Sequence, residues 1–213
     1  GPSTGIIFFD KKTATAASVS LTTQEFADLP FRYLEESPLD AEESKTFYRM
    51  TRGSTPPLTE RVFGSGSSNS LALQRRETIF GNYVAARYAL DLSVSSTNGA
   101  FDDWFLPSAR ELQTLIEGFP EKHTGKIYWT SSLSGLSDAL TGSLSDPENV
   151  HIETSVAVSN THLVRPIRAI AYTPSTPTNV TASADSTTTA TLRFTQAASP
   201  LSGSIRYVVT STP

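Results

Sequence analysis

Apolar residues recur at three- and four-residue spacing in two stretches and at two-residue spacing across much of the rest of the chain. The clearer helical stretch follows Ser108. Leu112, Leu115, Ile116 and Phe119 fall at i, i+3, i+4 and i+7, and Gly118 and Pro120 stop the helix. Ser108 stands three residues before Glu111. At that spacing the hydroxyl accepts from the Glu111 amide while the carboxylate reaches back to the Ser108 amide. A second helix is predicted from about Ser70 to Leu92, where Ile79, Phe80, Tyr83, Val84, Arg87 and Tyr88 form one stripe. Strands are predicted at Gly5–Asp10 and at Phe31–Glu35, the latter ended by Pro38, and residues 40–70 read as loop. Beyond the second helix the period changes to two. Ile127–Ser132, Ala139–Ser145, His151–Ser159 and Leu163–Tyr172 read as successive strands, with turns at 146–149 and 159–162 and with Ile152, Thr154, Val156 and Val158 on one face. Two strands, two helices and then an antiparallel meander make an α+β domain.

Composition changes at Thr173-Pro174-Ser175-Thr176-Pro177, which reads as a linker. Three short alternating runs follow, at 179–184, 190–195 and 205–210. They resemble the opening strands of a fibronectin type III sandwich, so residues 173–213 are expected to be a partial all-β module whose core cannot close alone. Residues 5–172 form the main domain. Gly1-Pro2-Ser3 reads as a scar of tag removal, and residues 1–4 are set aside.

The 213 residues carry 17 basic and 21 acidic side chains, a net charge of −4, and no Cys. A disulfide scaffold, thiolate chemistry and a Cys-ligated zinc site are therefore excluded. The mild acidity, at a pI near 5.4, lacks the basic footprint of a nucleic-acid binder. No apolar run approaches the length of a membrane span. Ser and Thr supply roughly a quarter of the chain, well above ordinary usage. Such a surface is polar with little charge and fits secreted or cell-surface bacterial β proteins.

Five segments, in order, resemble the Lcl C-terminal domain family of bacterial surface proteins. They are Tyr33-Leu34-Glu35-Glu36-Ser37-Pro38; Phe63-Gly64-Ser65-Gly66 with Ser68-Asn69-Ser70; Asp102-Asp103-Trp104-Phe105-Leu106-Pro107-Ser108 with Glu111-Leu112; Tyr128-Trp129-Thr130-Ser131-Ser132; and Val164-Arg165-Pro166-Ile167-Arg168-Ala169. The resemblance covers roughly residues 5–172 and departs at residues 40–62, where Phe47 and Tyr48 are the only aromatics before Phe63. It implies a C-type-lectin-like fold with two helices and an antiparallel sheet, related to formylglycine-generating enzymes and to the variable proteins of diversity-generating retroelements. Trp104, Pro107, Ser108, Glu111, Trp129, Arg165 and Arg168 then read as structural motif residues. Each Trp is a large apolar body whose N–H needs a partner. Arg165 and Arg168, three apart on the last strand, are expected on opposite faces, with at least one half-buried against carbonyls or an acid such as Glu111. In this fold, ligand contacts come from between the Tyr128 strand and the last strand. Here that selects Ser132, Ser134, Asp138, Asp146, Glu148, Asn149, His151, Asn160 and His162.

Catalysis is not expected. His123, His151 and His162 show no paired metal spacing, no G-x-S-x-G elbow is present, and the enzymatic branch of the related fold works through cysteines. The Gly64–Asn69 run has no Lys in P-loop position. No cofactor is expected. The alternative is calcium held by Asp146, Glu148 and Asn149 in a turn that faintly echoes the Glu-Pro-Asn loop of calcium-dependent lectins. The expectation is a non-enzymatic binding or adhesion module, extracellular or at the bacterial cell surface. Its partner would be a protein or glycan on a host, matrix or neighbouring cell, with no nucleic acid and no membrane insertion; the oligomeric state is left open. The alternatives are a stalk or display domain without its own ligand, and a calcium-dependent lectin.

Overall fold

A computed structural model describes residues 4–50, 57–97, 99–135, 137–144, 150–171, 178–186 and 189–195. The elements run β1 (Ile6–Asp10), α1 (Thr23–Asp28), β2 (Tyr33–Glu36), β3 (Glu43–Thr46), β4 (Arg49–Met50), α2 (Gly66–Phe80), β5 (Gly81–Asn82), α3 (Val84–Leu90), β6 (Val94–Ser96), β7 (Gly99–Phe101), β8 (Trp104–Phe105), α4 (Ala109–Gly118), α5 (Pro120–His123), β9 (Ile127–Leu133), β10 (Asp138–Leu144), β11 (Val150–Ala157), β12 (Thr161–Val164), β13 (Ile167–Ile170), β14 (Thr178–Ala184) and β15 (Ala190–Thr195). The fold is α+β, with more strand than helix. Two compact units separate at Ile170/Ala171. Among the described residues no helix is long and apolar enough to cross a membrane.

In the first unit a four-stranded antiparallel sheet has the order β1-β2-β13-β8, and a five-stranded sheet has the order β11-β10-β9-β12-β3. The second order corrects the predicted meander. The chain runs β9, β10, β11 as neighbours, but β12 leaves β11 and lies parallel to β9, with Leu163 beside Tyr128, and antiparallel to β3. The reason is burial. Beside β9 and β3, Val164 is fully buried and Leu163 packs on the core. The predicted single face of β11 is also corrected. Thr141 pairs with Thr154 while the next residue, Gly142, pairs with Ile152, so residue 153 is an extra residue in β11. The bulge aims Ile152 and Val156 at two different core clusters.

Among the described residues the α-helices number five rather than two. The predicted 70–92 helix is broken at Gly81–Asn82, which pair with Arg49–Met50. The glycine run read as loop already starts α2 at Gly66. Helix α1 carries its own capping box, Thr22 with Glu25, at the same spacing as Ser108 with Glu111. Helix α4 is seated on the five-stranded sheet at Gly142. A Cβ there would lie 2.6 Å from Leu112 Cδ2 and 2.8 Å from Ile152 Cδ1, so the strand must be bare for the helix to approach.

The core has two clusters. One gathers Phe9, Phe31 and Phe63 with Leu112, Leu115, Ile116 and Tyr128. The other gathers Phe47, Tyr48, Tyr83, Leu106 and Trp129, with Tyr48 stacked on Tyr83 at 4.4 Å. The two aromatics of the divergent 40–62 stretch are thus core residues.

The second unit contains the antiparallel hairpin β14–β15, from Thr178 opposite Thr195 to Ala184 opposite Ala190. Val180 and Leu192 are exposed on it. The predicted run at 205–210 lies outside the described residues.

Candidate functional site

The six predicted ligand residues that the structure describes do not converge. Ser132 is fully buried. Its hydroxyl donates to the Glu60 carbonyl at 2.7 Å and accepts from the Ala109 amide at 3.2 Å, so it ties the end of β9 to residue 60 and to the start of α4. Asn69 completes the clamp, accepting from the Glu60 amide at 2.9 Å and donating to the Glu60 carbonyl at 2.7 Å. Ser134 and Asp138 sit at the outer end of the β9–β10 hairpin. There the Ser134 hydroxyl meets that of Ser155 at 2.7 Å, and the Ser134 amide donates to the Asp138 carbonyl at 3.0 Å. The Val158 amide donates to the Ser137 carbonyl at 3.0 Å, which brings the turn holding exposed Asn160 to the same end.

His151 pairs with Ser143 near the opposite end of β10 and β11. Six strand residues separate it from Ala157, roughly 20 Å at 3.3 Å per residue. His162 lies on β12 opposite Lys45, with its ring against the Trp129 ring at 4.7 Å, and burial lowers its pKa. It belongs to the packing of Trp129. Asp146, Glu148 and Asn149, and with them the alternative calcium set, lie outside the described residues.

The motif residues hold the fold. Trp104 Nε1 donates to the Phe101 carbonyl at 3.0 Å and Trp129 Nε1 to the Lys45 carbonyl at 2.8 Å. The Pro107 carbonyl accepts from the Ser131 amide at 2.7 Å. Glu111 is fully buried and accepts from the amides of Ser108 at 2.7 Å and Gly64 at 3.2 Å. Burial pushes its pKa up to about 7, against the pull of the Ser108, Gly64 and Gly66 amides. A Cβ on Gly66 would stand 2.2 Å from Glu111 Oε2, so only glycine lets that loop reach the carboxylate.

Both arginines are buried, and neither pairs with Glu111. Arg165 donates Nε at 3.1 Å and Nη2 at 2.9 Å to Glu36 Oε2, and Nη1 at 3.2 Å to the Pro38 carbonyl. Arg168 engages Asp103 through Nε at 2.8 Å and Nη2 at 3.0 Å, lies 3.5 Å from Glu35, and stacks over Phe101 at 4.2 Å. Consecutive residues of β2 point to opposite faces, so Glu35 and Glu36 serve one arginine each.

Around Glu36 and Arg165 lies a polar centre that the sequence reading did not assemble. Tyr128 donates to Glu42 at 2.9 Å, and His123 lies 3.0 Å from the Tyr128 oxygen. The Tyr proton is already given to the carboxylate, so His123 Nδ1 is the donor, and Nε2 is left as a bare acceptor 3.8 Å from Glu36. Lys126 donates to Glu42 at 2.8 Å. Burial, then the Arg165 and Lys126 charges, lower the His123 pKa to about 4. Burial and Glu42 push the Tyr128 pKa well up. His123, Glu36 and Arg165 are sealed from solvent. The one sequence signal for this centre was the pair Glu35-Glu36 inside a strand, answered by two arginines in the last strand.

Among the described residues, two larger concavities open to solvent. One, of about 350 Å³, is bounded by Thr4, Pro38, Asp40, Ala41, Tyr88 and residues 92–95. The other, of about 340 Å³, is more apolar, with Leu29, Pro30, Val62 and Phe63 below an edge of Glu25 and Asp28. Among the described residues no group of three or more His, Asp or Glu is placed to hold a metal ion.

No family model matches the chain, and no curated protein matches it. Among solved structures, a fimbrial protein from Bacteroides ovatus ATCC 8483 is similar at a TM-score of 0.48 and 15% identity, over 76% of this chain and 43% of that one. The chain thus spans less than half the length of that protein.

Proposed function

We propose that the first unit is a non-enzymatic binding or adhesion module of a bacterial cell-surface or secreted protein, of the C-type-lectin-like kind that the five sequence segments imply. One observation carries this reading. Glu111, His123 and Tyr128, the groups whose acidity is most strongly displaced, are buried and bonded to the amides, carboxylates and cations that hold the fold together. An active site tunes such groups where substrate can reach them. Calcium is not required in this reading, and the partner is a protein or glycan on another cell, a host or a matrix.

A display domain with no ligand of its own is the second reading, favoured by the separation of the predicted ligand residues to opposite strand ends. The deciding experiment measures binding of the labelled protein to glycan arrays, matrix proteins and intact cells, with and without EDTA. Saturable binding unaffected by EDTA supports the module. Binding lost with EDTA moves the reading to a calcium-dependent lectin, and no binding to any of the three surfaces leaves the display domain.

A further inference from the structure

The concavity of about 350 Å³ is built largely by the single helical turn Leu39–Ala41 and by the approach to β6. Its volume is at the low end of small-molecule sites. Exposed hydroxyls of Ser93 and Ser95 edge it, with the Asp40 carboxylate beside them. Tyr88 supplies its aromatic wall. The Tyr88 hydroxyl is already given to the Ala41 carbonyl at 2.8 Å, which fixes the ring to the wall of the groove. One face of the ring is covered by the Lys45 ammonium, 4.7 Å from its centre, and Lys45 is itself paired with Glu43.

Ligand chemistry follows from this inventory. A carboxylate accepts two hydroxyl hydrogens in charge-assisted bonds, short serine hydroxyls both donate and accept, and an aromatic wall packs against C–H faces. Among the described residues no basic side chain lines the groove. Sulfate or carboxylate groups would therefore be repelled. Burial first, then the Glu43 and Asp40 charges, raise the Tyr88 pKa, so its hydroxyl stays protonated and keeps its bond to the Ala41 carbonyl. Asp40 and Ala41 belong to the stretch where the chain departs from the family it resembles.

We propose that this groove binds a neutral, polyhydroxylated ligand, a short uncharged oligosaccharide, through Asp40, the Ser93 and Ser95 hydroxyls and the Tyr88 wall. The assignment rests on the binding-module reading and specifies its ligand. It sets the contact surface away from the hairpin residues singled out by sequence.

The test titrates the full chain with neutral di- to tetrasaccharides of glucose, galactose, mannose and N-acetylglucosamine, and with a sulfated tetrasaccharide and spermidine as charged probes. At least one neutral series is expected to bind. Asp40→Asn should weaken it about tenfold, Ser95→Trp should abolish it, and Gln24→Ala, on α1 outside the groove, should leave it unchanged. Circular dichroism and thermal melts of each variant establish that it is folded. Preference for the sulfated probe or for spermidine, or neutral-sugar binding indifferent to both groove variants, overturns the assignment. If no neutral sugar binds but the chain still binds cells or matrix proteins, the groove assignment fails and the module reading stands. Absence of all binding removes both.

Discussion

The sealed centre around Glu36 and the wet end of the β9–β10 hairpin draw on similar polar side chains and use them in opposite ways. At the centre, Glu36, Arg165, His123, Tyr128 and Glu42 spend their hydrogen bonds on one another and on the Pro38 carbonyl. At the hairpin end, Ser134 and Ser155 bond only across a strand pair, and Asn160 faces water. Buried polar groups are costly unless paired, so whatever sits at the centre is fixed by the fold, while the rim is free to vary. Side chains that look chemically suggestive in a sequence can therefore be the least available for chemistry.

The largest effect that would break this contrast is loss of one partner in the centre. Arg165→Met leaves the buried Glu36 carboxylate without its hydrogen-bonded cation, with only the Lys122 ammonium 3.8 Å away, and is expected to cost about 3–5 kcal/mol in denaturant unfolding. Adding Glu36→Leu should recover much of that loss, because a buried pair replaced together by apolar groups is close to neutral. A double variant no more stable than the single one would show that the ion pair itself, and not the orphaned charge, sets the cost. Next comes Gly142→Val. Its side chain would collide with Leu112 and Ile152, and about 1–3 kcal/mol of destabilisation is expected from the thermal or denaturant midpoint.

Two titrations sharpen the comparison further. His123 is held neutral in the fold, with its pKa lowered to about 4, so its contribution is present above pH 6.5 and lost as pH falls toward 4. Glu111 has the opposite sign. Its pKa is raised to about 7, so its contribution is present below pH 4.5 and lost as pH rises toward 7. Between about pH 4.5 and 6.5 the two slopes oppose each other. His123→Gln should uncover a fall in stability with rising pH across that window, approaching 1.4 kcal/mol per pH unit, and Glu111→Gln a rise of similar size. Urea unfolding at half-unit pH steps measures both, and slopes unchanged from the parent would refute the assignment. The smallest effects belong to the rim. Ser134→Ala and Asn160→Ala are expected to stay within about 0.5 kcal/mol, and a larger loss at either would place it with the structural residues.

How much of this was legible in the sequence depended on how far each signal reached along the chain. Helix α4 could be read because its apolar spacing and its Ser108–Glu111 cap lie within twelve residues. The equally local cap of α1, Thr22–Glu25, was there to be read and was not. The break between α2 and α3 left the three- and four-residue spacing through Ile79, Tyr83 and Arg87 intact, so periodicity passed over it. The order of the strands was out of reach, because β12 could satisfy its pattern beside β11 as well as beside β9. Only burial of Val164 decides between them. The candidate site suffered most. Ser132 and Ser134 are the same residue type two positions apart, yet one is a clamp and the other faces outward; that difference is made by Glu60 and Ala109, distant in sequence. Arg165 finds its acid 129 residues away.

The order β1-β2-β13 also bears on mechanics. Strands β1 and β13 run in the same direction on either side of β2, and Ile6 lies at the Glu36 end while Ile170 lies at the Tyr33 end. A pull applied to residue 5 and residue 171 in opposite directions therefore runs along the strands and loads both hydrogen-bonded ladders in shear, all bonds together, instead of opening them one at a time. Single-molecule extension between those two positions should give a higher rupture force than extension between residues 33 and 170, which peels β2 from β13 at one end. For a module that works while tethered, resistance to tension would come from strand order alone, with no disulfide needed.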